Sequence, residues 1–466
     1  MNNSRNFKVN FIFTLLCLFF ISSCGSTSNT REISAQANEF RDRSERVIRH
    51  VQGTQIVNGD GSKFRTLNDL IQIPALDDFI SRAFKTNPQL QQSVYALKIA
   101  YARAGVVESQ SIPAVDLTIS GQSAEEVSGN IFSSKLSVSW ELDLWNKLRE
   151  EAEAADYDVQ VAEYNLVNLK NALVSNIMRT WLDITLQKKL VVLEMSRLHS
   201  LKQNLELIES RYKSGLDSLG SLDNARASVF NTRSTIAANE QKMLQAERSL
   251  NLLVGAFNHE VHFDAEQMEF PEYLNASISV ESDVFYERPD VKASFLSFEA
   301  EKLRTSSAYK ALLPSFKITG ALTDTDSSLI ASLLKDPLWQ VLGHLSAPIF
   351  QGERLRNNAR IAENKFAQQA WIYRDTLLNA INEVENAISQ EEALKIQEEN
   401  LKEAVASAQR SYVSFREKYQ QGLVNIFDLL NSQQQTFDLK AQLIQIKYSR
   451  LTNRIDLGLA LGLGVS

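Results

Sequence analysis

Proline, glycine and cysteine are all scarce in this sequence. Its 466 residues include 8 Pro, 17 Gly and 2 Cys. So few helix-breaking residues favour a mainly helical protein, and Cys17 and Cys24 alone cannot form a disulfide framework. The net charge is −7, so the basic excess typical of nucleic-acid-binding proteins is missing and we expect no nucleic-acid partner.

The sequence also lacks the motifs that carry catalysis. It contains no phosphate-binding glycine loop and no nucleophile elbow. His259 and His262 lie three residues apart, but no further Cys or His cluster accompanies them, so a solvated loop is preferred over a metal site. We therefore predict that the protein is not an enzyme and uses no cofactor and no metal ion.

The N-terminus has the pattern of an export signal. Arg5 and Lys8 precede the apolar segment 11–21, which is too short to cross a bilayer. The sequence Ile-Ser-Ser-Cys that ends at Cys24 is typical of bacterial lipoproteins, in which the cysteine is lipidated. The alternative is an ordinary signal peptide cut near Ser23, with Cys24 incidental.

One stretch, from Glu353 to Gln421, contains neither Gly nor Pro. It is rich in residues that lose least on entering a helix, so the sequence predicts one helix of about 100 Å at 1.5 Å per residue. Apolar residues in its first part recur every ~3.67 residues, the period of nearly straight packing. Near its end they follow the heptad pattern of a coiled coil: Leu401, Val405, Ala408, Tyr412, Phe415 and Tyr419.

Four shorter stretches alternate apolar and polar residues, as a β-strand with one face in water does. They lie at 115–120, 135–144, 316–323 and 339–349. Beyond the N-terminal segment no run of about eighteen apolar residues occurs, so the mature chain could cross a membrane only as a closed β-barrel. Four strands are too few to close a barrel, so copies of the chain must share it. A dimer or a trimer would satisfy this requirement.

The sequence is internally duplicated. Pro88 recurs 201 residues later as Pro289, and Gly215 recurs 207 residues later as Gly422. Chance similarity between helical segments would not keep proline and glycine in phase, so each copy predicts a helix (about 77–110 in the first), two strands, a long helix, a glycine turn and a return helix. The predicted parts are a removed signal peptide, a lipid-anchored tether, a first repeat, an equatorial connector and a second repeat: residues 1–23, 24–75, 76–255, 256–282 and 283–466.

Several motifs resemble the outer-membrane efflux protein family, the TolC-like and OprM-like outer-membrane factors. The resemblance covers residues 70–466 and implies a homotrimer, with a twelve-stranded barrel in the outer membrane and a twelve-helix tunnel in the periplasm. The expected fold class is therefore mainly α with a membrane β-barrel, with long helical hairpins and four strands per chain. The motifs are Leu76-Asp77-Asp78-Phe79-Ile80, Asn87-Pro88-Gln89-Leu90, Ser139-Trp140-Glu141-Leu142-Asp143-Leu144-Trp145 and Ala347-Pro348-Ile349-Phe350-Gln351-Gly352.

The resemblance also implies a periplasmic gate at the tip turns that contain Gly215 and Gly422. Family members carry two acidic residues that narrow the entrance, and the matching positions are Asp428 and Asn431. In a trimer, three Asp428 carboxylates would favour cations, whereas the second ring would carry no charge. The alternative is that Asp428 caps the return helix.

The family prototype latches its tip with a Tyr, an Arg and an Asp. Tyr419 matches the Tyr, but the Arg position is Val424 and the Asp position is Ser221, so we expect no such latch. We predict that apolar packing closes the tip instead, through Leu423, Ile426, Phe427 and Leu430.

Together these features predict an outer-membrane channel, the exit duct of a tripartite efflux pump, which passively conducts small molecules from periplasm to exterior. The resemblance implies a homotrimer surrounded by outer-membrane lipid, a periplasmic adaptor protein and an inner-membrane pump of the RND type. Two alternatives stay open: a coiled-coil surface lipoprotein without a pore, such as a stalk or adhesin, and the outer-membrane channel of a type I protein-secretion system. The cargo is not readable, because selection would sit in the pump.

Overall fold

The computed structural model describes residues 76–123, 130–257, 269–272, 277–279, 287–330 and 332–464, with the short pieces 31–39, 55–57, 71 and 73. The predicted signal peptide, the predicted lipidation site Cys24, and most of the predicted tether and connector lie outside these residues. In the part of the chain that is described, no helix is both long enough and apolar enough to cross a membrane.

Long helices dominate the described chain. The helices are α1 (31–39), α2 (Asp77–Thr86), α3 (Pro88–Glu108), α4 (Lys147–Lys213), α5 (Leu219–Val254), α6 (Pro289–Lys310), α7 (Arg354–Gln420) and α8 (Ile426–Ala460). The strands are β1 (Gln55–Val57), β2 (Ala114–Gln122), β3 (Ile131–Leu142), β4 (Ser277–Ser279), β5 (Ser315–Asp326) and β6 (Leu338–Ser346). The fold class predicted from the sequence, with long helical hairpins and four longer strands, is confirmed.

Three elements end at other residues than the sequence predicts, and local chemistry explains each difference. The helix expected over 77–110 is divided at Asn87, whose extended ψ of 121° is typical of a residue that precedes proline. β3 ends at Leu142 and not at Leu144, because Asp143 Oδ2 accepts the Arg149 amide at 2.8 Å and caps the start of α4. β6 ends at Ser346 and not at residue 349, before a proline that cannot donate to a strand ladder.

The element order strand, strand, long helix, return helix occurs twice. Asn146 and Glu353, 207 residues apart, both precede a long helix and both have left-handed φ values, 58° and 62°. Each return helix ends at a glycine in the same way. At Gly255 a Cβ atom would lie 2.5 Å from the Thr86 carbonyl oxygen, so only glycine allows the close approach.

The chain divides into two compact units that do not coincide with the two copies. The first unit draws its described residues from 31–39, 95–165 and 290–378 and contains the sheet of β2, β3, β5 and β6. The second draws on 166–289 and 379–466, with the short segment up to residue 94, and contains both tip turns. Each unit takes segments from both copies of the repeat.

Each unit has a core of its own. In the first unit Phe298 stacks on Phe366, with ring centroids 4.9 Å apart. In the second unit α2, α4, α5 and α8 share an apolar cluster around Ile177, Met178 and Leu250.

The sheet has the order β2-β3-β5-β6, antiparallel throughout, so β2 and β6 are its edges. Cross-strand register separates its side chains into two faces, because paired residues point the same way. The apolar face carries Val115, Leu117, Ile119, Phe132, Leu136, Val138, Trp140, Leu142, Phe316, Ile318, Leu322, Trp339, Val341 and Leu345. Apart from the apolar residues Ala114, Ile131, Ala321, Leu338 and Leu342, the polar face carries Asp116, Thr118, Ser120, Lys135, Ser137, Ser139, Glu141, Lys317, Thr319, Thr323, Gln340 and His344.

Candidate functional site

The two tip turns, 214–218 and 421–425, have the same backbone geometry. Gly215 and Gly422 have φ values of 72° and 76°, the left-handed conformation that glycine adopts without strain. In each turn the amide that follows the glycine donates to a carbonyl five residues back, which is the Schellman end of a helix. Both distances are 2.9 Å, from Leu216 N to Arg211 O and from Leu423 N to Lys418 O.

Three polar side chains join the first turn to the ends of α4 and α7. Tyr419 Oη donates a hydrogen bond to Asp217 Oδ2 at 2.8 Å, and Arg211 Nε donates to the same oxygen at 3.2 Å. The Arg211 guanidinium carbon also lies 5.0 Å from the centroid of the Tyr419 ring. Arg211 belongs to α4, Asp217 to the first turn and Tyr419 to α7. We call these three residues the tip latch.

Tyr419 is the buried member of the tip latch, with 2% of its surface exposed. Burial, followed by the hydrogen bond and the charge of Asp217, raises the pKa of the Tyr419 hydroxyl well above its usual value, despite the opposing charge of Arg211. The hydroxyl therefore stays protonated at physiological pH and remains a donor. A hydrogen bond to a carboxylate of this kind is stronger than one between neutral groups.

A Tyr–Arg–Asp contact therefore forms at this tip, although not from the positions that match the family latch. Val424 and Ser221 do not take part: Val424 packs against apolar neighbours, and the Ser221 amide donates to the Ser218 side chain at the start of α5. The acidic and the basic residue of the tip latch lie at other positions. Asp217 comes two residues after Gly215, and Arg211 comes four residues before it. Neither residue occupies a position that matches the family pattern, so comparison by position did not find them.

Apolar packing supports the tip latch but does not replace it. Of the four residues predicted to pack at the tip, Ile426 is buried and Leu430 is partly buried within one cluster, whereas Leu423 and Phe427 are exposed in the single chain. The buried members of the cluster are Ile208, Leu222, Ala225, Tyr419, Ile426 and Leu429.

The predicted ring residues lie at the start of α8. Asn425 is the N-cap, and its side chain accepts the Asp428 amide at 3.0 Å. Asp428 is thus a first-turn residue and not the cap, so capping does not account for it. Its carboxylate is partly exposed near the positive end of the helix dipole, where a negative charge is favoured. Asn431 is exposed one turn further on, so the two side chains share one side of α8.

A polar seam joins α4 to α8 behind the tip. Asn204 donates to Gln433 at 2.8 Å within a buried contact. Further along, Arg197 pairs with Asp438 at 3.3 Å and lies 3.6 Å from Glu194. Burial raises the pKa of Glu194, with Asp438 adding to the effect and Arg197 opposing it. The contacts run antiparallel along the two helices, so movement of α8 away from α4 would break them in order from the tip.

A buried ion network ties α7 to α8. Arg450 pairs with Glu391 and with Glu398, each at 3.0 Å, and Arg454 pairs with Glu391 at 3.1 Å. Lys402 completes the network at 2.8 Å from Glu398. Burial alone would raise the pKa of Glu398, but the hydrogen bonds from Lys402 and Arg450 outweigh it and hold that pKa below its usual value. The network fastens the second hairpin internally, whereas the tip latch and the seam fasten it to the first.

Paired helical hairpins with latched turns, together with a sheet apolar on one face and polar on the other, define the class of outer-membrane channels. The sequence profile of that class, described as "Outer membrane efflux protein", matches residues 79–256 and 282–463. The chain therefore belongs to the outer membrane efflux protein family, and it is an outer-membrane channel and not an enzyme.

Individual relatives agree with this assignment. The chain is 25% identical to the cation efflux system protein CusC of Escherichia coli K12 over 83% of its own length and 86% of the relative's. It is 23% identical to the probable outer membrane lipoprotein SilC of Salmonella typhimurium, over 84% and 86%. Among solved structures, the outer membrane protein VceC of Vibrio cholerae has a TM-score of 0.77 at 20% identity, covering 86% of this chain and 98% of that one.

Proposed function

We propose that this protein is the exit duct of a tripartite efflux system, passively conducting small molecules across the outer membrane. The observation that carries the proposal is the sheet, which has one apolar face and two unpaired edges, β2 and β6. Edges left open in lipid cost several kcal/mol for each unpaired backbone group. Three copies that pair β6 of one chain with β2 of the next would supply twelve strands and close the sheet, with lipid outside and water inside.

In this proposal the tip turns form the gate. The tip latch holds the end of α7 to the first turn and to α4, and its release would let the second hairpin move away from the first at the tip. In the trimer, three Asp428 carboxylates would surround the entrance and favour cations, while the three Asn431 side chains would add no charge. The duct itself does no chemical work, so the energy would come from an inner-membrane pump of the RND type, connected through a periplasmic adaptor.

The N-terminal anchor belongs to the same proposal. Cys24 would carry the lipid, and the relative SilC is by its name a probable lipoprotein. The relative CusC is by its name a cation efflux protein, and the Asp428 ring would suit cations. The two alternatives, a stalk without a pore and a type I secretion channel, are separated from efflux by the experiment below.

The test uses the full chain purified in detergent. We expect a trimer by native mass spectrometry, and single-channel conductance in planar bilayers that rises when the tip latch is removed. A monomer, or the absence of conductance from wild type and latch variant alike, would refute the duct and favour the stalk. Co-purification with an adaptor and an RND pump would support efflux, whereas recovery with an ATP-driven secretion pump would favour the type I system.

A further inference from the structure

The loop between β5 and β6, residues 327–330 and 332–337, lies on one particular side of the sheet. We infer that it is a membrane-contact element whose apolar side chains enter the outer-leaflet boundary of the lipid, and that it does not cover the pore. This inference rests on the proposed function, because it takes the apolar face of the sheet as the lipid-facing one.

The first observation is where the loop is anchored. Asp324 Oδ2 accepts the backbone amides of Lys335 at 2.8 Å and Asp336 at 3.2 Å. The buried Ser134 hydroxyl donates to the Ser332 carbonyl oxygen. Ser134 and Asp324 are cross-strand partners in the ladder between β3 and β5, so their side chains leave the sheet on the same face.

The second observation is which face that is. Two residues away along each strand, Leu136 of β3 and Leu322 of β5 form the next pair on the same face as Ser134 and Asp324. Side chains two residues apart on a strand point the same way. Asp326, two residues beyond Asp324, accepts the Ser328 amide at 3.0 Å at the start of the loop. All three anchors therefore belong to the apolar face. A loop that folded over a water-filled pore would instead be anchored on the polar face.

The third observation is that the loop follows a defined course. Leu334 has a φ of 58°, a left-handed conformation that a residue with a Cβ rarely adopts. This conformation lets the next two amides converge on one carboxylate, as in other backbone anion cradles. The Ser332 hydroxyl also donates to the Leu329 carbonyl oxygen at 2.9 Å. The position of the loop is therefore set by several bonds at once.

The fourth observation identifies the partner. Leu329, Ile330 and Leu333 are exposed, Ile330 with 81% of its surface. They belong to the loop that Ser134, Asp324 and Asp326 anchor on the apolar face at the end of the strands. An exposed apolar set in a loop held on the lipid-facing side and bordered by polar anchors suits the boundary between acyl chains and headgroups. The occupant we assign is the lipid of the outer leaflet.

The test measures the surroundings of single positions by spin labelling. Cysteines would replace Ile330 and Leu333, with reference cysteines at Val341 on the apolar face and Gln340 on the polar face. Cys24 keeps its lipid and Cys17 leaves with the signal peptide, so the wild-type chain serves as the control for background labelling. For each nitroxide-labelled trimer in lipid vesicles, two collision rates of the label are measured. One is with oxygen, which concentrates in lipid, and the other is with a water-soluble nickel chelate. All four positions are exposed, so the labels should not disturb folding.

We expect positions 330 and 333 to match position 341, with an oxygen-to-nickel accessibility ratio several-fold above that of position 340. Nickel-accessible labels at 330 and 333, beside an oxygen-favoured 341, would overturn the inference and leave the proposed function intact. A label at 341 as nickel-accessible as the one at 340 would overturn both, because the apolar face would then not meet lipid.

Discussion

Replacing Tyr419 by Phe tests the gate most directly. The change removes only the hydroxyl that donates to Asp217 at 2.8 Å and keeps the buried ring, its packing and its contact with Arg211. A hydrogen bond to a charged group contributes about 1.5–3 kcal/mol. Tyr419 is 2% exposed and the Asp217 side chain 13%, so solvent weakens this contact little.

The expected shift follows from that energy. Each ~1.4 kcal/mol changes an equilibrium about tenfold, so every Y419F subunit should favour the open tip by roughly 10- to 150-fold. If three subunits open together and their latches are independent, the free-energy change in favour of the open tip would be about three times that of one subunit. In planar bilayers the variant should therefore conduct more and stay open longer than wild type.

A matched control and a double mutant make the prediction refutable. Tyr212→Phe removes a hydroxyl from a half-exposed tyrosine at the same tip and should leave conductance unchanged. Asp217→Asn should open the tip as Y419F does, and the double variant should gain less than the sum of the two single effects, because both changes break one contact. Equal conductance for Y419F, Y212F and wild type would contradict the role given to the tip latch.

Three further predictions concern the ring, the anchor and the ion network. Asp428→Asn should lower cation preference because it removes three charges from the entrance, with Asn431→Ala as the uncharged control; an unaltered reversal potential in a salt gradient would contradict the ring. Cys24→Ala should abolish labelling with radioactive palmitate, and labelling equal to wild type would rule out the anchor. The lowered pKa of Glu398 means that its stabilising effect is present above the usual glutamate pKa of about 4.3 and is lost as the pH falls through the folded-state pKa. Glu398→Gln should therefore cost about 3 kcal/mol at neutral pH and flatten the loss of thermal stability towards pH 3, whereas Glu399→Gln on the exposed side should change neither.

Much of the fold was predictable because its signals are local. Glycine and proline end helices through their own backbone preferences, so the long helices and the turns at Gly215 and Gly422 could be placed to within a residue or two. Alternating polarity identified all four longer strands. The errors came where a single neighbour decides an end, as when Asp143 caps α4 and thereby stops β3.

The candidate site was only partly predictable. Tyr419, Gly215, Gly422 and Asp428 were found from motifs, but Asp217 was missed because its partner stands 202 residues away in the other copy of the repeat. Nothing in the first turn by itself indicates that a tyrosine of α7 will approach it. Ser221 and Val424 were compared with a family pattern by position, whereas a hydrogen bond requires only that two atoms meet.

The sequence by itself determined the helical hairpins, the duplication and the alternation that predicts an amphipathic sheet, because each depends on residues close together in the chain. Only the tertiary structure decided which acid meets Tyr419, which helices share the polar seam, and on which face of the sheet the β5–β6 loop lies. Those outcomes depend on register and packing between segments hundreds of residues apart. A shift of one residue in register would move Ser134 and Asp324 to the other face of the sheet, and the loop with them.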